Sequence, residues 1–150
     1  MTVAPSIMMS LLWLAAPQAK AKAITVYIPA SDALMVAQIV ARNEGYDIRN
    51  TKMYSFDTLD CPAPLVEGYR SIGFYINGNV RSGISISETT GQAFDMTTCE
   101  IFDYPELRPF QKDIMRLTKV KRKTPQELAD DVGCGRPRVL TRPVPLSKKK

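Results

Sequence analysis

Residues 69–97 read YRSIGFYINGNVRSGISISETTGQAFDMT, and this stretch decides the fold. On both sides of Asn77-Gly78, apolar residues alternate with polar or small ones. The alternating apolar residues are Ile72, Phe74, Ile76, Val80, Ile84 and Ile86. A period of two is typical of β-strands that bury one face, because successive side chains point to opposite sides of a sheet. The stretch therefore predicts two consecutive β-hairpins.

The apolar pattern also predicts the register of the first hairpin. A two-residue Asn77-Gly78 loop would place apolar residues opposite polar ones on the same face. A three-residue loop closed by Asn79 brings the apolar faces together and pairs Ile72 with Ile84. We therefore predict the longer loop, with Asn79 in the left-handed region of backbone conformation and a bulge at the turn.

The register of the second hairpin is predicted in the same way. A three-residue loop, Thr89-Thr90-Gly91, would pair Ile86 with Phe94 and Ile84 with Met96, again apolar with apolar. The glycine of this loop would supply the positive φ that the turn requires, since it has no Cβ to clash there.

Composition narrows the classes of function. The chain has 150 residues, enough for one domain with appendages, and 45% of them are apolar. Its three cysteines are too few for a disulfide-rich scaffold. It contains no histidine, which removes the usual general base of Ser-His and Cys-His systems and the commonest metal ligand. We therefore expect a protein that is not an enzyme and that holds no cofactor or metal ion.

Charge is distributed unevenly along the chain, whose net charge is +5. Residues 24–105 contain ten acidic and five basic residues, a net charge of −5. Residues 106–150 contain five acidic and thirteen basic residues, a net charge of +8, and Lys20 and Lys22 supply the remaining +2. An acidic body thus carries a basic C-terminal part.

Residues 1–23 have the features of a secretory signal peptide. Residues 7–16 (IMMSLLWLAA) form an apolar run that is too short to cross a bilayer, which takes about 20 residues. Two small-x-small cleavage patterns follow, Ala19-Lys20-Ala21 and Ala21-Lys22-Ala23. No Lys or Arg precedes the run, which departs from the rule, and the alternative is a buried N-terminal helix. The signal peptide predicts a secreted or periplasmic protein of the cell envelope, without a transmembrane span.

Helix signals precede the hairpins. Ser31 is a candidate N-cap, Gly45 is a candidate C-terminal stop, and an apolar stripe lies between them. The stripe consists of Ala33, Val36, Ala37, Val40 and Ala41. Residues 52–59 follow as a strand. This order predicts an α+β domain over residues 24–98, in which one N-terminal helix packs on a four-stranded antiparallel meander.

Residues 99–135 are predicted to form a short helical extension. One helix is expected at residues 109–117. Thr124-Pro125-Gln126-Glu127 has the capping-box arrangement that begins a second helix, which ends near Val132. Residues 136–150 are rich in Arg, Lys and Pro without a periodic apolar face, which predicts a flexible basic tail.

The order of features over residues 33–95 resembles a PepSY domain. The resemblance lies in the alanine-spaced helix, the Gly45-Tyr46 exit, the strand pair and the stretch 86–95 (ISETTGQAFD), which looks like the family's strand, Thr-Gly turn and strand. PepSY domains are secreted or envelope modules without catalytic residues. The resemblance implies a non-catalytic binding module with a protein partner and, by analogy, modulation or inhibition of an envelope peptidase. The chain departs from the family pattern in its extension from Cys99 to Cys134.

Export would permit a disulfide bond, and with three cysteines one is left over. Cys99 follows the last predicted strand and Cys134 follows the last predicted helix, so we predict that these two pair and pin the extension to the sheet. Cys61, in a proline-rich connector, is then the unpaired one. The alternative is three free thiols in a reducing compartment. A metal site is not expected, because scattered cysteines without histidine lack the usual paired spacing.

A basic stretch in the extension supports an alternative function, the binding of nucleic acid or anionic surface polymers. The candidate contact residues are Lys112, Arg116, Lys119, Lys121, Arg122 and Lys123. Phe110 is the only aromatic residue of this stretch, so specific nucleic-acid recognition by base stacking is disfavoured. Anionic envelope polymers, or the acidic body itself, are the favoured contacts, and a solubilising linker is the simpler alternative.

A third interpretation is a small hydrolase that uses carboxylates. Asp57 with Asp60, or Asp130 with Asp131, are the candidate acid/base pairs. No phosphate-binding loop or nucleophile arrangement accompanies them, so solvated or turn-forming roles are favoured. The sequence does not predict an oligomeric state.

Overall fold

A computed structural model of the chain describes residues 24–58 and 66–141. Within these residues, one helix precedes five strands, and two further helices and a sixth strand follow. The six strands form one sheet, and a 3-10 turn at Pro105–Leu107 leads into the second helix. The elements are α1 (Ala30–Asn43), β1 (Tyr54–Asp57), β2 (Tyr69–Ile76), β3 (Asn79–Ser87), β4 (Ala93–Asp95), β5 (Glu100–Phe102), α2 (Arg108–Thr118), α3 (Pro125–Asp131) and β6 (Arg138–Leu140).

The sheet confirms the α+β class but is larger than the predicted four-stranded antiparallel meander. Its strands lie in chain order from β1 to β6, and every neighbouring pair is antiparallel except β5 and β6, which are parallel. A parallel pair needs a long crossover, and α2 and α3 supply it. The extension is therefore part of the sheet rather than only helical. Strand β6 lies inside the segment expected to be a flexible tail, and residues 142–150 and 1–23 lie outside the described residues.

The first hairpin has the predicted core register but a different turn. Ile72 pairs with Ile84, which confirms that part of the prediction. The loop, however, has two residues, Asn77 and Gly78, with φ of 51° and 75°. Positive φ at both positions matches the twist of the flanking strands. A bulge, with Arg81 as its extra residue, then restores the apolar alignment that we had attributed to a three-residue loop.

The second hairpin differs by one residue from the predicted register. Ile84 pairs with Asp95 rather than Met96, because residues 88–91 form a four-residue loop. The predicted positive φ at Gly91 is confirmed at 68°. A shift of one residue moves a side chain to the other face of a sheet. Phe94 consequently faces away from Ile84.

Helices cover both faces of the sheet, and each covered face has its own apolar core. Helix α1 packs on the face that carries Ile72, Phe74 and Ile84, and α2 contributes Ile114 to the same core. The second core contains Phe94, Ile101 and Leu128. The one-residue shift that turns Phe94 over thus supplies the packing surface for α3.

Helix α1 matches its predicted apolar stripe, all of which is buried. Its start differs from the prediction, because Pro29 occupies the N-cap position and its carbonyl accepts from the amides of Asp32 and Ala33. Ser31 lies inside the first turn and makes no cap. The end is as predicted: Gly45 has φ of 90°, and the amide of Tyr46 donates to the carbonyl of Ala41. No helix in the described ranges combines the length and apolarity that a bilayer crossing requires.

Candidate functional site

Two open depressions lie side by side where α1 ends. One has a volume of about 300 Å³ and is lined by Ile39, Arg42, Asn43 and Glu106. The other has a volume of about 520 Å³ and is lined by Arg42, Gly45, Tyr46, Asp47 and Arg49. Arg42 borders both. We call these lining residues, together with Arg81, the Arg42 surface.

Tyr46 is held in place within the Arg42 surface by two aromatic contacts and a hydrogen bond. Its ring lies 5.7 Å from that of Tyr54 and meets the ring of Phe74 edge-on at 5.2 Å. Its hydroxyl accepts a hydrogen bond of 2.8 Å from Nε of Arg81. Arg81 is the extra residue of the β3 bulge, and bulges characteristically redirect a side chain. The bulge therefore links the β2–β3 hairpin to the chain that leaves α1.

The three arginines of this surface differ in how their charges are compensated. Arg49 donates two hydrogen bonds, of 2.7 and 3.2 Å, to the carboxylate of Asp47, and this contact holds the pKa of Asp47 below its usual value. The hydrogen bond to Tyr46 raises the pKa of Arg81, and the charge of Glu44 adds to the effect. Arg42 is exposed and forms no ion pair with any described residue. Among the three arginines it is thus the one without such a partner in the described part of the chain, and Glu106 is the acidic residue that shares its smaller depression.

The shape of the Arg42 surface suits a macromolecular contact better than a small ligand. Small-molecule sites are usually enclosed and mainly apolar, with few polar groups. Here both depressions are open, and charged side chains lie around a tyrosine. Tyrosine and arginine are the residue types that most often dominate protein interfaces. Within the described ranges, no three Cys, Asp or Glu side chains are grouped closely enough to hold a metal ion.

The predicted disulfide bond is present between Cys99 and Cys134, whose Cα atoms are 6.0 Å apart. It joins the residue before β5 to the turn after α3 and packs against the second core. The extension is thereby pinned to the sheet, as expected. Cys61, predicted to be unpaired, lies outside the described residues.

Two of the six candidate polyanion contacts are engaged by acidic residues of the fold. Arg122 donates to Asp103 at 2.7 Å and to the side-chain carbonyl of Gln111, and Lys123 pairs with Asp131. These two side chains therefore hold the fold together. The other four, Lys112, Arg116, Lys119 and Lys121, are exposed, and Arg116 lies 3.6 Å from Asp113.

The segment that carries these charges is ordered by a contact that the sequence did not reveal. The side-chain amide of Gln92, only 2% exposed, makes two hydrogen bonds to the backbone of Lys123. Its Oε1 accepts from the amide at 2.9 Å, and its Nε2 donates to the carbonyl at 3.0 Å. The expected linker is consequently attached to the sheet.

The candidate catalytic carboxylates have structural partners. Asp131 accepts from the hydroxyl of Tyr69 at 3.0 Å in addition to pairing with Lys123. Burial, followed by the charge of Asp131, raises the pKa of Tyr69. Asp130 accepts from Nε2 of Gln126 at 2.8 Å. Asp57 lies half-buried in β1, and Asp60 falls outside the described residues.

The residues of the Arg42 surface were not singled out by the sequence. Arg42 lies outside the apolar stripe predicted for α1, and Tyr46 entered only as part of the helix exit. Arg81 was missed because its direction depends on the bulge. The available signal was the Asn77-Gly78 pair, because Asn-Gly favours a two-residue turn with positive φ at both positions.

These observations define an α+β protein with a mixed six-stranded sheet, helices on both faces and an open, arginine-bordered surface at the end of α1. No protein-family model matches the chain, and no curated protein matches it. The fold is similar to that of a chain in the structure of a type VI secretion system effector-immunity complex from Pseudomonas protegens, with a TM-score of 0.59 and 19% sequence identity. The match covers 73% of this chain and 91% of that chain. At this identity the similarity establishes a shared fold, and the PepSY resemblance stays a prediction.

Proposed function

We propose that the protein is an exported binding protein of the immunity type, which neutralises a toxin by binding it in the cell envelope. The similarity to a chain from an effector-immunity complex, over 91% of that chain, carries the proposal. The signal-like residues 1–23 and the Cys99–Cys134 disulfide are consistent with an oxidising compartment outside the cytoplasm. The absence of histidine from the chain favours the binding partner over the toxic enzyme.

Neutralisation needs only tight binding over a functional surface of the target. The described part of the chain offers a rigid scaffold for this, with a helix layer on each face of the sheet and a disulfide across the extension. A preorganised surface loses little conformational entropy on association, which favours affinity. The PepSY resemblance adds a more specific proposal, in which the neutralised protein is an envelope peptidase.

A competition experiment between sibling strains tests the immunity function. A strain that lacks the coding sequence should be outcompeted at least tenfold by its parent during contact on a solid surface, because the parent delivers the toxin. A plasmid copy with residues 1–23 should restore survival, and a copy that begins with Met followed by residue 24 should not. A parent that cannot secrete toxins is the matched control and should cause no loss. Equal survival of the deletion strain beside the competent parent would show that the protein is not an immunity protein.

The polyanion alternative is favoured by the exposed lysines Lys112, Lys119 and Lys121. The same competition separates it from the immunity function. A variant with all three lysines changed to glutamate should still protect if toxin binding is the function. The polyanion alternative would be favoured if this variant folds but loses protection and the wild-type protein is retained on heparin. Removing the basic part by cutting the chain after Asp103 would not be a suitable test, because the residues beyond it supply Tyr104, Leu107 and Ile114 to the core.

A further inference from the structure

We propose that the Arg42 surface binds an acidic segment of the partner protein, with a partner carboxylate on the Arg42 guanidinium. This inference rests on the proposed function, because it assigns the contact through which the partner is held. The segment that occupies the Arg42 surface is a projecting loop of the partner that carries Asp or Glu. A small anion or a second copy of this chain are the competing occupants, and the experiment below distinguishes them.

The position of Arg42 carries the argument. It is the residue that both depressions share, so it lies between volumes of about 300 and 520 Å³. A carboxylate that reaches Arg42 has one depression on either side for its neighbouring side chains. Arginine recognises a carboxylate through two parallel hydrogen bonds, which adds geometric specificity to charge.

Local charge selects an acidic group. Among the arginines of the surface, Arg49 is engaged by Asp47 and Arg81 by the hydroxyl of Tyr46. Arg42 has no ion-pair partner among the described residues. Glu106 lines the smaller depression, whereas Asp47 in the larger one is already paired with Arg49. A carboxylate from outside therefore complements Arg42 from the side of the larger depression.

The surroundings of Arg42 are held in place before any partner arrives. The side chain of Asn43, only 7% exposed, donates to the carbonyl of Ile39 at 3.0 Å and fixes the last turn of α1. Tyr46 is held between two aromatic rings and Arg81. These two side chains need no further ordering on binding, which lowers the cost of forming the contact.

A structural role for Arg42 is the competing explanation. A cation in the last turn of a helix interacts favourably with the exposed carbonyl groups there. Arg116 controls for this effect, since it is also an exposed arginine in the last turn of a helix, α2. A substitution at either position removes a cation from the last turn of a helix, and at Arg116 it also removes the contact with Asp113, so Arg116 is the more demanding control for stability. Only Arg42 belongs to the proposed interface.

The test uses the full mature chain, immobilised as wild type, Arg42→Glu and Arg116→Glu, and exposed to envelope extract from the competing parent strain. A partner should be retained by wild type and Arg116→Glu and reduced at least about 30-fold on Arg42→Glu, as for the loss of a central charged contact. With the retained protein purified, an Asp→Arg or Glu→Arg change in its acidic loop should restore binding to Arg42→Glu. Thermal unfolding of all three variants checks that each is folded.

The alternative outcomes are each decisive. Equal retention on all three proteins, or no protein retained specifically by the wild type, overturns the inference. A concentration-dependent dimer that is lost in Arg42→Glu makes the occupant a second copy and also overturns it. Binding of free aspartate or citrate at Arg42 without any protein makes the occupant a small anion.

If Arg42→Glu still protects cells as well as wild type in the competition, the site is wrong while the immunity function stands. If wild type fails to protect but the charge swap holds, the immunity function is wrong and the site stands.

Discussion

Gly91 shows how one residue couples a turn to a helix. Its φ is 68°, and an added Cβ would lie 3.1 Å from both Cα of Gln111 and Cε1 of Phe110. An alanine would therefore be strained by its backbone and would also press against α2. Gly78 has a similar φ of 75° but open space around its Cβ position, so it isolates the backbone contribution.

We predict that Gly91→Ala lowers the free energy of unfolding by about 2–5 kcal/mol, the sum of left-handed strain and overpacking. Gly78→Ala should cost only about 1–2 kcal/mol, from the backbone alone. Urea unfolding of both variants beside the wild type measures the difference. Equal losses would mean that the turn and α2 are not in the contact described.

At the scale of an element, α3 depends on its first turn. The carboxylate of Glu127 accepts from the backbone amide of Thr124 at 2.7 Å and from its hydroxyl at 2.9 Å, and the amide of Glu127 donates back to that hydroxyl. These hydrogen bonds, the backbone one first, lower the pKa of Glu127. The helix they begin carries Leu128 into the second core.

The lowered pKa gives α3 a pH dependence of known sign. A group whose pKa is depressed on folding stabilises the folded state above its ordinary pKa, about 4.3, and loses that contribution as the pH falls through the depressed value. Wild type should therefore protect the amides of residues 128–131 from hydrogen exchange better than Glu127→Gln at pH 7. The difference in protection should narrow as the pH is lowered below the ordinary pKa of a glutamate. A difference of the same size at pH 7 and below that pKa would contradict the role assigned to the carboxylate.

At the scale of the whole molecule, the Cys99–Cys134 disulfide holds the extension against the sheet. The bond spans a sequence separation of 35 residues, and β6 begins four residues after Cys134. Strand β6 pairs with β5 through three residues only. Without the bond, the part of the crossover that follows α2 would be anchored mainly by Gln92, Leu128 and the ion pairs of Asp103 and Asp131.

We predict that Cys99→Ser/Cys134→Ser lowers the free energy of unfolding by about 3–4 kcal/mol, the chain-entropy value for a loop of this length. Cys61→Ser, at the cysteine predicted to be unpaired, is the matched control and should unfold like the wild type. Urea unfolding with and without reductant measures both variants. Reductant should destabilise the wild type and Cys61→Ser but leave the double variant unchanged, and a reductant-insensitive wild type would contradict the assignment.

Local patterns in the sequence determined much of the fold. The buried stripe of α1, the capping box at Thr124 and the pairing of Ile72 with Ile84 follow from periodicity and capping chemistry within short stretches. The choice of Cys99 and Cys134 as the disulfide pair followed from their positions after successive elements. Each of these inferences depends on neighbouring residues or on a single matched pattern, which is why the sequence alone sufficed.

The tertiary structure decided the features that alternation cannot distinguish. A three-residue loop and a two-residue loop with a bulge align Ile72 and Ile84 equally well, but only the bulge directs Arg81 to Tyr46. The second loop gains a residue because Phe94 is buried on the opposite face, where α3 supplies its packing.

The edge of the sheet and the candidate site also required the three-dimensional fold. Strands β5 and β6 have three residues each, too few to show a period, and their pairing joins residues about 38 positions apart. The Arg42 surface combines the end of α1, the following loop and the β3 bulge. Contacts between segments so distant in sequence are set by packing, because no local pattern records which side chains the fold will bring together.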